Sequence, residues 1–189
     1  MISNLRHMHP SGSILISPVG DIPSWITAII ADRIKAIFGF RTRVSPLLDN
    51  LSFAYDQKRN QYYSTVILEA LAARAPKGCI KLLAVTREDL FIPILTHVYG
   101  EAQLGGIASI ISIARLMAYP DVGSREKSRG RIIKEAAHEL GHAFDLRHCE
   151  DDHCIMHYCR KLADVDLKSD QFCRYCTILL ADYIKTLGG

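Results

Sequence analysis

The stretch of sequence that most constrains the fold is residues 138–159, HELGHAFDLRHCEDDHCIMHYC. This stretch holds five of the chain's eight histidines and three of its six cysteines. Imidazole and thiolate are the side chains that zinc prefers in proteins. Their concentration predicts that metal binding fixes the path of the backbone here, and it leaves open whether one ion is bound or two.

A helix is predicted from Arg125 to Phe144, because apolar residues recur there at helical spacing. His138 and His142 lie four residues apart, about one helical turn, so both imidazoles can reach one ion. Glu139, beside the first histidine, is a candidate general base toward a water molecule bound to that metal. An ordinary amphipathic helix with two histidines would show the same HExxH pattern.

A third histidine, His148, lies six residues after His142. A straight helix would carry it about 9 Å further along the axis, so the helix must end and the chain must bend back. Glycine makes this bend in the extended HExxHxxGxxH pattern, but here the position is Asp145. Aspartate tolerates the left-handed region. Three histidines would leave zinc one open position, which is the catalytic arrangement.

Four thiols form a second set of candidate zinc ligands: Cys149, Cys154, Cys173 and Cys176. Four thiolates from two short segments make a closed, structural zinc site, and this site would tie the long loop after residue 144 to the last helix. Buried free cysteines and two disulfides are the alternatives. Cys159 and His153 are spare candidates that could replace one ligand.

The remaining chain predicts an α/β (α+β) fold, a mixed sheet with helices in a single domain over residues 1–189. Asp21 is the expected N-cap of the first helix, and Ser169 or Asp170 that of the last. The predicted strands are 13–17, 40–46, a short strand from residue 79, 97–106 and 107–116; the other helices are 23–38, 62–75 and about 171–189.

Composition argues against two classes of partner. The net charge of +3 is scattered, which disfavours nucleic acid and membrane surfaces, and no apolar stretch suits a bilayer span. A nucleic-acid-binding zinc ribbon would need continuous basic charge around Lys161, Lys168 and Arg174, but aspartates interleave with them. Because the N-terminus lacks a signal-peptide pattern, we expect a cytoplasmic protein.

Four residues that could bind metal are interpreted otherwise. Cys79 is expected to be a small core residue, and His97 is expected to lie in a strand with a structural role. His7 and His9 belong to the N-terminal segment and are not assigned to a site.

The combined spacing resembles that of the archaemetzincins, a branch of the metzincin metalloproteases. The resemblance rests on HELGH, His148-Cys149, Cys154-Ile155-Met156 and Cys173-Arg174-Tyr175-Cys176. It implies a twisted sheet with an antiparallel edge strand that binds extended substrate, placed at about residues 106–114. It also implies a sheet and helix part over about 12–145, and a zinc-stapled part over about 146–189.

The resemblance also implies residue roles. Met156 would be the Met-turn methionine beneath the histidines, although an ordinary core methionine would look the same. The IMHY sequence is similar to the Met-turn of astacin-like metzincins, which implies that Tyr158 helps stabilise the oxyanion. A tyrosine packed on the loop is the alternative.

These observations predict a monomeric zinc-dependent peptidase with two zinc ions per chain, one catalytic and one structural. Its zinc ligands would be His138, His142 and His148, and Glu139 would activate the water. A protein that uses zinc only to stabilise a binding surface is the main alternative.

Overall fold

The computed structural model describes residues 12–117 and 124–187. Eight strands run through these residues: β1 (Ser13–Pro18), β2 (Arg41–Val44), β3 (Tyr55–Asp56), β4 (Gln61–Tyr63), β5 (Cys79–Thr86), β6 (Leu90–Phe91), β7 (Gly100–Ala102) and β8 (Ala108–Ser112). The helices of the same residues are α1 (Ser24–Phe38), α2 (Ser64–Ala73), α3 (Ile113–Leu116), α4 (Ser124–Ala143), α5 (Leu162–Leu167) and α6 (Arg174–Thr186), with a 3-10 turn at Ser52–Ala54. The predicted mixed α/β fold is confirmed.

A five-stranded sheet in the order β2-β1-β5-β8-β7 forms the centre of the molecule. Its first four strands pair in parallel, and β7 pairs antiparallel with β8. A smaller sheet has the order β3-β4-β6. Because β7 has a partner on one side only, its outer edge is free to pair with another extended chain.

The central strands are buried on both faces and therefore read as continuous apolar runs. Helices α1 and α4 cover one face, which carries Ile14, Ile16, Leu83, Val85 and Ile111. Helix α2 covers the other face, which carries Leu15, Leu82, Ala84, Ala108 and Ile110. Helix α4, which carries His138 and His142, is thus packed against the sheet.

An aromatic cluster fixes the C-terminal end of α4. The ring of Phe144 stacks on Phe38 and Phe40 at centroid distances of 5.0 and 5.8 Å, and it meets Tyr183 edge-on at 6.0 Å. These partners come from α1, the residue just before β2, and α6. The position at which the chain leaves α4 is therefore set by the core.

The predicted edge strand was misplaced. Residues 106–114 contain β8, which is fully buried and pairs with β5 on one side and β7 on the other. The free edge belongs to β7, from Gly100 to Ala102. Apolar alternation identifies a strand, but it does not show whether the strand has one neighbour or two.

Several predicted boundaries were also wrong. Pro23, not Asp21, precedes α1, and it makes no side-chain cap hydrogen bond. Residues 62–63 extend as part of β4 instead of starting α2. The thiol of Cys173, not Ser169 or Asp170, caps α6 by accepting the N–H of Cys176.

Two further expectations about loops need correction. His97 lies outside the strands, in the loop before β7. The long loop after residue 144 contains the short helix α5. Among the described residues, no helix is long and apolar enough to cross a membrane.

Replacing Phe144 with alanine should lower the free energy of unfolding by about 3–5 kcal/mol, because the smaller side chain leaves a cavity among its aromatic partners in the core. Urea denaturation would measure the loss. Phe53→Ala is the matched control, since Phe53 is 51% exposed and should change stability by less than about 1 kcal/mol. Equal losses in both variants would contradict this account of the core.

Candidate active site

Helix α4 places two histidines side by side. The Nε2 atoms of His138 and His142 are 3.1 Å apart. Their Nδ1 atoms lie 2.8 Å from the carbonyl oxygen of Ile155 and 2.7 Å from that of Leu146, respectively. Each Nδ1–H donates to its carbonyl, which leaves both Nε2 lone pairs free to bind one ion.

The bend that the sequence requires is made by Asp145. Its φ is 67°, in the left-handed region. The N–H of Asp145 donates to the carbonyl of His142, and that of Leu146 donates to the carbonyl of Gly141, both at 2.9 Å. This pair of bonds is the Schellman motif, in which glycine usually occupies the left-handed position. Aspartate makes the same turn here.

The bend returns His148 to the other two histidines. Its ring centroid is 5.4 Å from that of His138 and 4.8 Å from that of His142. One nitrogen of each imidazole lies within 4.8 Å of the others. His138 is buried and His148 is exposed, so the group is open to solvent on one side. This arrangement suits a zinc ion with one free coordination position.

The protonation state of the histidines fits metal binding. Burial lowers the pKa of His142 to about 4, and burial, followed by the charge of Lys168, lowers the pKa of His138 well below its usual value. Both imidazoles therefore stay neutral near pH 7, the form that binds zinc.

Met156 lies directly beneath the HELGH helix turn. It is fully buried, and a Cβ on Gly141 would come within 3.1 Å of its Cε, with Sδ closer still. The carbonyl of Met156 accepts the N–H of Cys149 at 3.0 Å. The methionine therefore packs against the turn of α4 between His138 and His142, and only glycine at position 141 leaves it room.

Glu139 lies in the floor of the same cleft and is 6% exposed. Burial raises the pKa of its carboxyl well above the usual value; the charge of Glu135 adds to this effect and that of Lys168 opposes it. A Cβ on Gly100 would lie 2.6 Å from its Cγ. Glycine therefore allows the edge strand β7 to pass directly over this carboxyl.

The cleft has a volume of about 910 Å³ and contains all three imidazoles. Its lining also includes β7, the residues just before that strand, and Tyr158. The Tyr158 ring lies 4.9 Å from that of His148 and is 44% exposed. Its position beside the histidines is compatible with both interpretations of this tyrosine.

The four cysteines meet in a second cluster. One sulfur from each of Cys149, Cys154, Cys173 and Cys176 lies within 4.8 Å of the others. Backbone N–H groups point at two of these sulfurs: that of Cys173 at Cys154 Sγ, 3.3 Å, and that of Cys176 at Cys173 Sγ, 3.5 Å. None of the six cysteines is in a disulfide. A tetrahedral zinc fits this donor set.

Comparison with known proteins agrees with this geometry. The sequence profile of peptidase family M54 matches residues 14–182. The chain belongs to peptidase family M54. It is thus a zinc metallopeptidase of the archaemetzincin family.

Individual relatives match over most of their length. The archaemetzincin of Methanocaldococcus jannaschii is 36% identical over 171 residues, 89% of this chain and 93% of the relative. The crystal structure of archaemetzincin from Methanopyrus kandleri superposes with a TM-score of 0.82 at 34% identity, covering 93% of this chain and 97% of that one. A zinc-dependent peptidase from Methanocorpusculum labreanum gives 0.77 at 27% identity, covering 89% and 100%.

The sequence interpretation missed two buried residues in the floor of this M54 cleft. The Nζ of Lys168 lies 2.9 Å from Glu135 Oε1 and 3.5 Å from His138 Nδ1, and the Lys168 side chain is 1% exposed. Both look like ordinary surface charges in the sequence. The only available signal was spacing, since Glu135 lies one turn before Glu139 on the face that also carries the histidines.

Lys168 reaches the site because α4 holds the segment around α5 with a row of polar contacts. Arg131 forms a two-bond pair with Asp166 at 2.7 and 2.6 Å. Lys134 donates to the carbonyls of Val165 and Asp166 at 2.9 and 3.0 Å. With Glu135, these side chains fix the segment just before Lys168.

The remaining candidates that the structure describes lie outside both clusters. Cys159 lines the cleft, and exposed His153 pairs with Asp152 at 2.8 Å. Cys79 is half-buried at the start of β5, and His97 lines the cleft. His7 and His9 lie outside the described residues.

Gly141→Ala should weaken hydrolysis and stability, because the new Cβ must displace Met156 from beneath the histidines. The expected loss of stability is about 1–3 kcal/mol, as for other overpacked cores. The control is Gly130→Ala on the same helix, where a Cβ meets nothing within 4 Å. That change should stabilise the protein by about 0.5–1 kcal/mol. Thermal unfolding of both variants tests the contact, and a harmless Gly141→Ala would refute it.

Proposed function

We propose that this metallopeptidase hydrolyses peptide bonds in the cleft, with His138, His142 and His148 as ligands of the catalytic zinc and Glu139 as general base. One observation carries the proposal: three neutral imidazole nitrogens converge beside a buried carboxyl and stay open on the cleft side. A zinc ion that only stabilised the fold would be enclosed by four protein ligands.

The reaction divides between metal and protein. Zinc, when bound, polarises the scissile carbonyl and lowers the pKa of the attacking water. Glu139 takes the proton of that water and delivers it to the leaving amine. Burial raises the pKa of this carboxyl, which makes it a stronger base toward the water than an exposed glutamate would be. The Tyr158 hydroxyl would donate a hydrogen bond to the developing oxyanion.

The substrate is proposed to bind as an extended strand along β7. The outer edge of β7 has no partner in the described sheet, and its residues line the cleft. Main-chain hydrogen bonds would add the peptide to the sheet. Pairing with Gly100 would hold the scissile bond of the substrate close to Glu139, because this glycine already lies against the glutamate side chain.

The four cysteines are proposed to bind a second, structural zinc. This ion would tie Cys149 and Cys154 of the loop to the first turn of α6. We further propose that the protein is monomeric and cytoplasmic, and that it binds neither nucleic acid nor a membrane.

Glu139→Gln should keep two zinc ions per chain and lower the hydrolysis rate by at least about 100-fold, because glutamine cannot accept the proton. Metal analysis and a peptide-library assay with and without chelator would measure the two effects. Glu126→Gln, an exposed change on the same helix, is the control and should leave both unchanged. Undiminished turnover in Glu139→Gln would exclude its role as general base and favour the binding-protein alternative.

Cys173→Ser should reduce the metal content from two zinc ions to one and lower the melting temperature, since the loop loses its tie to α6. Cys79→Ser is the matched control, because Cys79 lies far from the cluster in sequence and outside it in space. Equal zinc content in both variants would show that the cysteines do not bind a second ion.

A further inference from the structure

A buried lysine lies behind the bend that carries the third histidine. Lys81, in β5, is 3% exposed. Its Nζ donates to the carbonyl of Gly106 at 2.8 Å, to the hydroxyl of Tyr183 at 3.1 Å and, more weakly, to the carbonyl of Gly105 at 3.4 Å. A buried ammonium is costly unless it is hydrogen-bonded and paired with a negative charge.

The acidic charge that acts on this lysine is that of Asp145, an exposed residue. Burial lowers the pKa of Lys81 to about 8, and the charge of Asp145 raises it against that effect. A Cβ on Gly105 would lie 3.3 Å from Asp145 Oδ1, so this carboxylate rests on the glycine whose carbonyl faces Lys81. Both charged side chains therefore lie beside the turn between β7 and β8.

That turn is bonded directly to the end of the metal-ligand helix. The N–H of Gly105 donates to the carbonyl of His142 at 2.9 Å. The hydroxyl of Tyr183 donates to the carbonyl of Gly105 at 3.1 Å. The hairpin that presents the edge strand and the helix end that turns toward His148 are thus fixed to each other at one point.

We propose that Lys81 is a positioning residue, whose buried charge holds Asp145 in the bend and so sets His148 and the edge strand β7 in register with each other. Glycine takes a positive φ without steric cost, so the backbone alone gives no reason for aspartate here. The attraction between its carboxylate and the Lys81 ammonium would explain why position 145 is aspartate. The link to substrate binding rests on the proposed function; the link to the third histidine does not.

A double-mutant cycle tests the pair: Lys81→Met, Asp145→Gly and both together. The probe is Co²⁺ added to metal-free protein, because thiolate-to-cobalt absorption reports the cysteine cluster separately from the histidine group. Each single change should weaken Co²⁺ binding at the histidines by about tenfold, the size expected for a coupled pair. Asp145→Gly in the Lys81→Met background should cause no further loss, and the cysteine cluster should bind as before.

Hydrolysis by the zinc-loaded variants gives a second readout. A disturbed edge strand should raise KM as well as lower kcat, whereas a change in overall stability alone would leave the KM of the folded fraction unchanged. Lys185→Met removes an exposed lysine that pairs with Asp182, and it should change neither Co²⁺ binding nor KM.

Additive effects of the two substitutions would overturn the proposal, and so would equal weakening of both metal sites. If Lys81→Met does not fold, Tyr183→Phe, which removes one of the hydrogen bonds to Lys81, should still weaken Co²⁺ binding at the histidines alone. Failure of the wild-type protein to cleave any peptide would refute the proposed function, but the Co²⁺ cycle would still decide the role of Lys81.

Discussion

The positive φ of Asp145 is the constraint on which the rest of the site depends. A straight continuation of α4 would carry His148 away from the other histidines, whereas the left-handed residue turns the chain back within three residues. The bend also leads the chain into the loop that supplies Cys149 and Met156. One backbone conformation therefore decides whether the histidines and cysteines separate into two clusters.

The two candidate metal sites share one short segment of the chain. His148 and Cys149 are adjacent in sequence but belong to different clusters. Cys154 lies in the cysteine cluster, whereas the carbonyl of its neighbour Ile155 orients His138 and Met156 supports the helix from below. The N–H of Ile155 in turn donates to the carbonyl of Gln171, just before α6. A zinc ion among the cysteines would therefore steady the histidine group as well as the loop.

Much of this could be predicted from the sequence because the relevant residues are unusual and regularly spaced. Imidazoles one turn apart and a CxxC pair indicate ligands, and the long apolar stripe indicates α4. The order of strands in the sheet could not be predicted, because β8 and an edge strand have the same local pattern. Lys81, Glu135 and Lys168 were missed because a charged residue normally faces solvent, and only the tertiary structure shows that these are buried.

The cleft combines elements from distant parts of the chain. Helix α4 contributes the histidines and Glu139, the loop after it contributes Tyr158, and β7 contributes the free edge. Gly100 and Gly141 allow the closest approaches, one to Glu139 and one to Met156. The shape of this cleft thus depends on two glycines as well as on its polar residues.

The most direct test is anomalous diffraction at the zinc edge from crystals of protein purified without added zinc. The account predicts one zinc about 2.0–2.1 Å from nitrogens of His138, His142 and His148, with no fourth protein ligand, and a second zinc about 2.3 Å from four cysteine sulfurs. A His148 side chain that points away from the first zinc, or a fourth protein side chain that closes its coordination, would contradict the account.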